Sequence, residues 1–267
     1  MKIKNIVLIF VCIASLFLAP LSKAQETPIT ITEPDVWFYK AKDENANGTT
    51  ILILPGGGYS NYAMDHEGHQ WAPFFNELGI NLAVLKYKLP AGNHEIPLND
   101  VKKTIEILQS HADEWNINPE DIGIMGFSAG GHLASAYATH SEGKTRPAFQ
   151  ILFYPVISLK PEITHQASKD LFLGSDQSEE RIMSYSGEEQ VSSSTPPAIL
   201  FHSYDDDVVV PDNAINYFES LRKEGVEATL HIYPVGGHGW GINEDFPYHK
   251  VMLEELSVWL KNNHKKE

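Results

Sequence analysis

Ile122-Gly123-Ile124-Met125-Gly126-Phe127-Ser128-Ala129-Gly130-Gly131-His132-Leu133-Ala134 is the stretch whose reading decides the fold. Its first four residues form an apolar run of the kind found in a buried strand, and from Gly130 onward the residues are those of a helix packed closely on its surroundings. Between them lies G-x-S-x-G. In that turn a serine is held in a strained backbone conformation with its hydroxyl raised over the sheet edge, while the glycines on either side let strand and helix pass closely. The pentapeptide by itself is common, and a plain small-residue turn would look the same. A strand before it and a helix after it make Ser128 the candidate nucleophile.

Outward from this turn, short β-branched runs alternate with longer amphipathic ones, the pattern of helices packed on a mostly parallel sheet. Strands are predicted at 29–32, 36–39, 50–54, 81–87, 122–125, 149–154, 198–202 and 229–233, and helices at 70–78, 98–115, 130–140, 213–224 and 248–262. Gly79 and Gly225 stand where helices commonly stop. The first two strands are expected to form an antiparallel entry to the sheet, with Asn47-Gly48 as a turn. Residues 156–196 break the rhythm. Rich in Ser, Glu, Gln and Pro, they read as an insertion over the strand ends within one domain spanning 25–267, because the alternation resumes unchanged after them.

A serine hydroxyl barely ionises near neutrality, so it needs a base, and the base needs a carboxylate to fix its tautomer. The strand predicted at 229–233 runs into Pro234-Val235-Gly236-Gly237-His238-Gly239-Trp240-Gly241, where four glycines let the backbone approach a neighbouring site. His238 is the candidate base. The strand at 198–202 runs into Ser203-Tyr204-Asp205-Asp206-Asp207, and its three adjacent acids leave the carboxylate open. Backbone amides must also receive the negative oxygen of a tetrahedral intermediate. Ala129, directly after the nucleophile, supplies one. Pro55-Gly56-Gly57-Gly58-Tyr59 follows a strand as an HGGG-type loop would, with proline in place of histidine, and makes Gly57 and Gly58 the other candidates. A phosphate-cradling loop is the competing reading, but no Lys-Ser/Thr follows the glycines.

With 20 Lys+Arg against 35 Asp+Glu and a net charge of -15, the chain carries no basic stripe for nucleic acid or an anionic membrane. Lys2 and Lys4, an apolar run over 6–19 and the small-residue pattern ending at Ala24 have the layout of a secretory signal peptide occupying 1–24. Cleavage near Ala24 would leave a secreted or periplasmic chain without a membrane anchor. The single cysteine, Cys12, lies in that leader, so the mature chain is expected to contain no disulfide. His66-Glu67-Gly68-His69 resembles a metal pair, but its spacing is one short of the zinc-protease pattern and Gly68 disfavours a helix. No metal or cofactor is expected. Trp71, Trp115 and Trp259 are assigned to the core. Tyr59 and Trp240 adjoin the candidate catalytic segments and are the candidate substrate-binding, sugar-stacking residues.

The chain resembles the α/β-hydrolase superfamily of esterases and lipases, and within it the exported bacterial acetylxylan-esterase-like branch. The similar stretches are Leu54-Pro55-Gly56-Gly57-Gly58-Tyr59, Leu85-Lys86-Tyr87-Lys88-Leu89-Pro90, 122–132, Tyr154-Pro155-Val156-Ile157-Ser158, Thr195-Pro196-Pro197, His231-Ile232-Tyr233 and Gly237-His238-Gly239. The resemblance implies an α/β-hydrolase fold with a mostly parallel eight-stranded sheet and helices on both faces. It also implies a Ser-His-Asp triad acting on acetyl or other short acyl esters of cell-wall carbohydrate. Aligned on the helix start Asp212-Asn213-Ala214, the triad acid is Asp206; aligned on Pro211, it is Asp207. An exported peptidase, a general short-chain carboxylesterase and a catalytically inactive binding module are the alternative functions. An ester-against-amide comparison separates the first of these from the esterase.

Overall fold

The computed structural model describes residues 27–42 and 44–263, so the proposed leader lies outside the described residues. Eight strands form one sheet: β1 (Ile29–Thr32), β2 (Asp35–Tyr39), β3 (Thr50–Leu54), β4 (Asn81–Lys86), β5 (Ile122–Phe127), β6 (Gln150–Phe153), β7 (Ala198–Ser203) and β8 (Ala228–Tyr233). Their spatial order is β1-β2-β4-β3-β5-β6-β7-β8. The β1–β2 and β2–β4 pairs are antiparallel and every later pair is parallel. The antiparallel entry is as expected. Asn47-Gly48, however, lies between β2 and β3, which are not neighbours, so it serves a crossing connection and not a hairpin.

Side chains alternate across a strand, so a sheet covered on both faces needs apolar residues at nearly every position. In β3 all five residues are buried. Leu52 and Leu54 face one core with Val101, Ile105 and Leu108 of α2 (Glu95–Ser110), Leu133 of α4 (Ser128–His140) and Tyr217 and Leu221 of α7 (Asp212–Lys223). Ile51 and Ile53 face the other, with Phe75 of α1 (Ala72–Glu77) and Met252, Leu256 and Trp259 of α8 (His249–Asn263). Trp71 and Trp259 join this second core and Trp115 the first.

The helix expected over 98–115 begins earlier, at Glu95, because Pro97 falls in the first turn, where no intrahelical donor is required. It breaks at His111 before a short α3 (Ala112–Trp115), closed by Asn116 in the left-handed conformation at φ 53°. Residues 156–196 are less irregular than their composition suggests. They contain α5 (Gln166–Leu173) and α6 (Glu179–Ser184), the latter capped by the Ser178 side chain. Both are too short to print a helical period, yet Phe172 and Leu173 of α5 are buried in the first core.

His132, one turn into α4, has no exposed surface and lies between the Tyr59 hydroxyl at Nδ1, 2.8 Å, and the Tyr185 carbonyl at Nε2, 2.9 Å. The carbonyl can only accept, so Nε2 carries the proton and the tyrosine hydroxyl donates to Nδ1. Burial pushes this imidazole down to about 4. From about pH 6.5, the ordinary imidazole value, down to about 4 the unfolded chain therefore binds a proton that the native state does not. Stability should fall by about 3 kcal/mol from this residue as pH drops through that window. Urea midpoints at pH 7.5 and 4.5 check it. The pH-dependent loss should be smaller in His132→Gln than in the wild type, whatever the substitution costs at pH 7.5.

Candidate active site

β5 runs two residues further than its sequence pattern suggests and delivers Ser128 directly to the start of α4. Ser128 has φ 52°, a left-handed conformation that costs a non-glycine residue on the order of 1–3 kcal/mol. The surrounding glycines impose it. A Cβ on Gly126 would lie 2.3 Å from the Gly130 carbonyl oxygen, and one on Gly130 would lie 2.1 Å from that of Leu54. No side chain fits at either position, so the strand, the helix and β3 close on one another and the serine is pushed to the sheet's carboxyl edge.

His238 and Asp206 come to that edge from the loops after β8 and β7. The Ser128 hydroxyl lies 2.8 Å from His238 Nε2, and His238 Nδ1 lies 2.7 Å from Asp206 Oδ2. Asp206 Oδ1 accepts from the Val208 and Val209 amides at 3.0 and 2.9 Å, while His202 Nε2 approaches Oδ2 at 3.2 Å. Burial alone would raise this carboxyl. Hydrogen bonds from His202, His238 and Val209 outweigh it and hold Asp206 well below the usual carboxylate range. An ionised carboxylate only accepts, so the shared proton sits on His238 Nδ1 and leaves a lone pair at Nε2 facing the serine. The other two acids differ in position: Asp207 is exposed, and Asp205 Oδ1 accepts from the Gly237 amide at 2.8 Å, which steadies the histidine loop.

The loop after β3 abuts the serine. A Cβ on Gly56 would stand 3.0 Å from Ser128 Cβ and 2.9 Å from the Phe127 carbonyl oxygen. Gly57, at φ 132°, has its carbonyl tied to the Ser60 and Asn61 amides. Gly58 and Tyr59 follow in consecutive left-handed conformations at φ 63° and 60°. Ala129 is the second residue of α4, where the amide has no intrahelical acceptor. The four segments expected to carry the chemistry thus converge on one point of the sheet edge.

Residues 51–242 match the model of a family described as having the alpha/beta hydrolase fold. The chain belongs to the α/β-hydrolase family. It is similar to an acetylxylan esterase of Xylanibacter ruminicola, with 44% identity over 223 residues covering 82% of this chain and 46% of the relative. Similarity to endo-1,4-beta-xylanase B of Butyrivibrio fibrisolvens is 30% over 227 residues, covering 79% of this chain and 35% of that one. This α/β-hydrolase chain therefore spans less than half the length of either relative. Among solved structures it resembles the acetyl ester-xyloside bifunctional hydrolase of Caldicellulosiruptor lactoaceticus, with TM-score 0.79, 33% identity, and coverage of 90% of this chain and 93% of the other.

Two expectations about the rim of this α/β-hydrolase site are corrected. Tyr59 and Trp240 are 1% and 5% exposed, so neither offers a face to a sugar. Tyr59 is turned inward by its left-handed backbone, stacks on Phe172 and meets His132 through its hydroxyl. Trp240 stacks on Phe246 with centroids 3.9 Å apart and donates from Nε1 to Ser203 Oγ. Both support the loops that carry the site.

Three residues about the site carry no sequence signal of their role. Glu67 is buried, and its Oε2 accepts from the Gly56 amide while Oε1 accepts from the Tyr154 hydroxyl, each at 2.8 Å. Tyr154 in turn accepts from the Gly241 amide and sets its ring against that of His238, 4.8 Å between centroids. One buried carboxyl and one phenol thereby tie the glycine loop to the histidine loop. Burial raises the Glu67 carboxyl despite these hydrogen bonds. His202 is the third, behind Asp206. Within 66–69, His69 Nδ1 pairs with the Tyr39 hydroxyl at 3.0 Å, and no group of three or more metal-ligating side chains occurs among the described residues.

Proposed function

We propose that this chain is a serine esterase removing acetyl or other short acyl groups from plant cell-wall carbohydrate. The observation that carries the reading is the continuous hydrogen-bonded series from Ser128 through His238 to ionised Asp206, beside a glycine loop packed so closely that a Cβ on Gly56 would stand 3.0 Å from Ser128 Cβ. Similarity to an acetylxylan esterase and to an acetyl ester-xyloside hydrolase supports the acyl and sugar classes. The proposed leader over 1–24 fits export to where such polymers lie, and no described helix is long and apolar enough to cross a membrane.

In this reading Ser128 Oγ attacks the ester carbonyl carbon as its proton passes to His238 Nε2. Asp206 stabilises the imidazolium so formed. The carbonyl oxygen becomes an oxyanion received by the amides of Gly57, Gly58 and Ala129, which cost no reorganisation because the fold has already fixed them. Collapse expels the sugar hydroxylate, reprotonated from Nε2, and leaves acyl-Ser128. Water then attacks the acyl-enzyme with His238 again as base, releasing the carboxylic acid and restoring the serine.

Initial rates on p-nitrophenyl acetate, butyrate and octanoate and on p-nitroacetanilide, with acetate release from acetylated xylan, test the proposal. The acetyl ester should be the best of the aryl substrates, with the anilide slower by orders of magnitude and acetate released from the polymer. Preference for the amide would replace the reading with a peptidase. Acetyl esters untouched by a folded chain would remove it.

A further inference from the structure

His165 lies in the segment that interrupts the strand and helix rhythm, at the residue preceding α5. The fold brings it to the site. Its Cε1 stands 3.8 Å from the point a Cβ on Gly58 would occupy, so the edge of the ring that carries both nitrogens lies beside the glycine loop. His238 and Asp206 are both within electrostatic reach of it.

The hydrogen bonds of the ring fix its tautomer. Nδ1 lies 2.8 Å from Ser168 Oγ, and Ser168 is completely buried. That hydroxyl has no other partner among the described residues. If Nδ1 donated to it, the hydroxyl proton would be sealed away from any acceptor, the costly arrangement for a buried donor. The hydroxyl therefore donates to Nδ1, and the imidazole proton sits on Nε2. Nε2 has no protein partner among the described residues, and the residue is only half-buried. Burial lowers the affinity of the ring for a second proton, and charge on His238 acts the same way, with Asp206 opposing. The result is a neutral donor fixed in place beside the glycine loop.

We propose that His165 is a specificity-determining residue whose Nε2–H donates to a hydroxyl or ring oxygen of the sugar that carries the ester. The assignment rests on the esterase reading above. In that reading the alcohol oxygen is the atom His238 reprotonates, so the sugar half of the ester leaves past His238, and His165, beside the Gly58 loop and within electrostatic reach of His238, stands close enough to meet it. A sugar surrounds its ester with oxygen acceptors. A p-nitrophenyl ester places a flat ring there, with no hydroxyl near the scissile bond.

The test compares kcat/KM for an acetylated xylo-oligosaccharide and for p-nitrophenyl acetate in the wild type, His165→Ala and His165→Gln, with thermal midpoints as a check on folding. Loss of one hydrogen bond should lower the ratio of oligosaccharide to aryl activity about tenfold in His165→Ala, chiefly through KM. His165→Gln, which keeps an N–H at similar reach, should recover part of it. An unaltered ratio, or equal loss on both substrates, overturns the assignment while leaving the esterase reading standing. A wild-type protein inactive on both esters overturns the esterase reading and this assignment together. A glutamine variant no better than alanine, both being folded, shows that packing and not the donor set the ratio, and this too overturns the assignment.

Discussion

Ser128→Ala is expected to leave a folded protein whose turnover of p-nitrophenyl acetate is lower by about 10⁴–10⁶-fold. The size follows from what the hydroxyl does in the proposed cycle, since without Oγ there is no acyl-enzyme and His238 can only activate a water held less well. The amides at Gly57, Gly58 and Ala129 remain, so residual hydrolysis above the uncatalysed rate should persist. Folding should hardly notice the change. Alanine removes one oxygen that is bonded to His238 at 2.8 Å, opens no core cavity and inherits the same left-handed φ of 52°. Steady-state rates with a thermal melt separate the two effects. A variant within tenfold of wild type, with contaminating esterase excluded by active-site titration, would remove Ser128 from the chemistry.

The parts of the site written locally were readable, and those made by chain crossings were not. Ser128 sits among glycines that report a close backbone approach, and at Gly126 and Gly130 there is no room for a Cβ; the glycines flanking His238, Gly237 and Gly239, have open space and instead supply left-handed turns at φ 59° and 79°. The strands β3 to β7 could be expected because each is an apolar run that the sheet buries almost completely, whereas their spatial order, with β4 between β2 and β3, is made by chain crossings. Glu67 gave no signal, because its partners Gly56 and Tyr154 lie 11 and 87 residues away. Tyr59 and Trp240 were misread for a different reason. Adjacency in sequence to a catalytic segment does not set the direction of a side chain, and the left-handed backbone at Gly58 and Tyr59 turns the phenol towards His132 and Phe172. In α5 and α6, helices of 8 and 6 residues hold too few apolar positions for a period to stand out from the polar composition around them.

The choice among Asp205, Asp206 and Asp207 shows the same limit, and it yields the second large expectation. Sequence offers two alignments one residue apart. The bend after β7 decides between them, with the Asp206 amide donating to the Ser203 carbonyl and the Val208 and Val209 amides closing on Oδ1. That turn points Oδ2 at His238 and leaves Asp207 exposed. In Asp206→Asn the amide oxygen can still receive Val208 and Val209, so the turn should survive. The amide NH₂ then faces His238 Nδ1, which must become an acceptor. Its proton moves to Nε2, where it blocks transfer from Ser128, and the negative charge that stabilised the imidazolium is gone. The expected loss is about 10⁴-fold in kcat with little change in KM. Asp207→Asn should stay within about threefold, because that carboxylate faces solvent. Asp205→Asn should fall near wild type as well, since its amide oxygen can still accept from Gly237. The three variants assayed side by side on p-nitrophenyl acetate give the answer. A large loss at Asp207 with Asp206→Asn near wild type would mean that the working enzyme uses a different register of this bend from the one described.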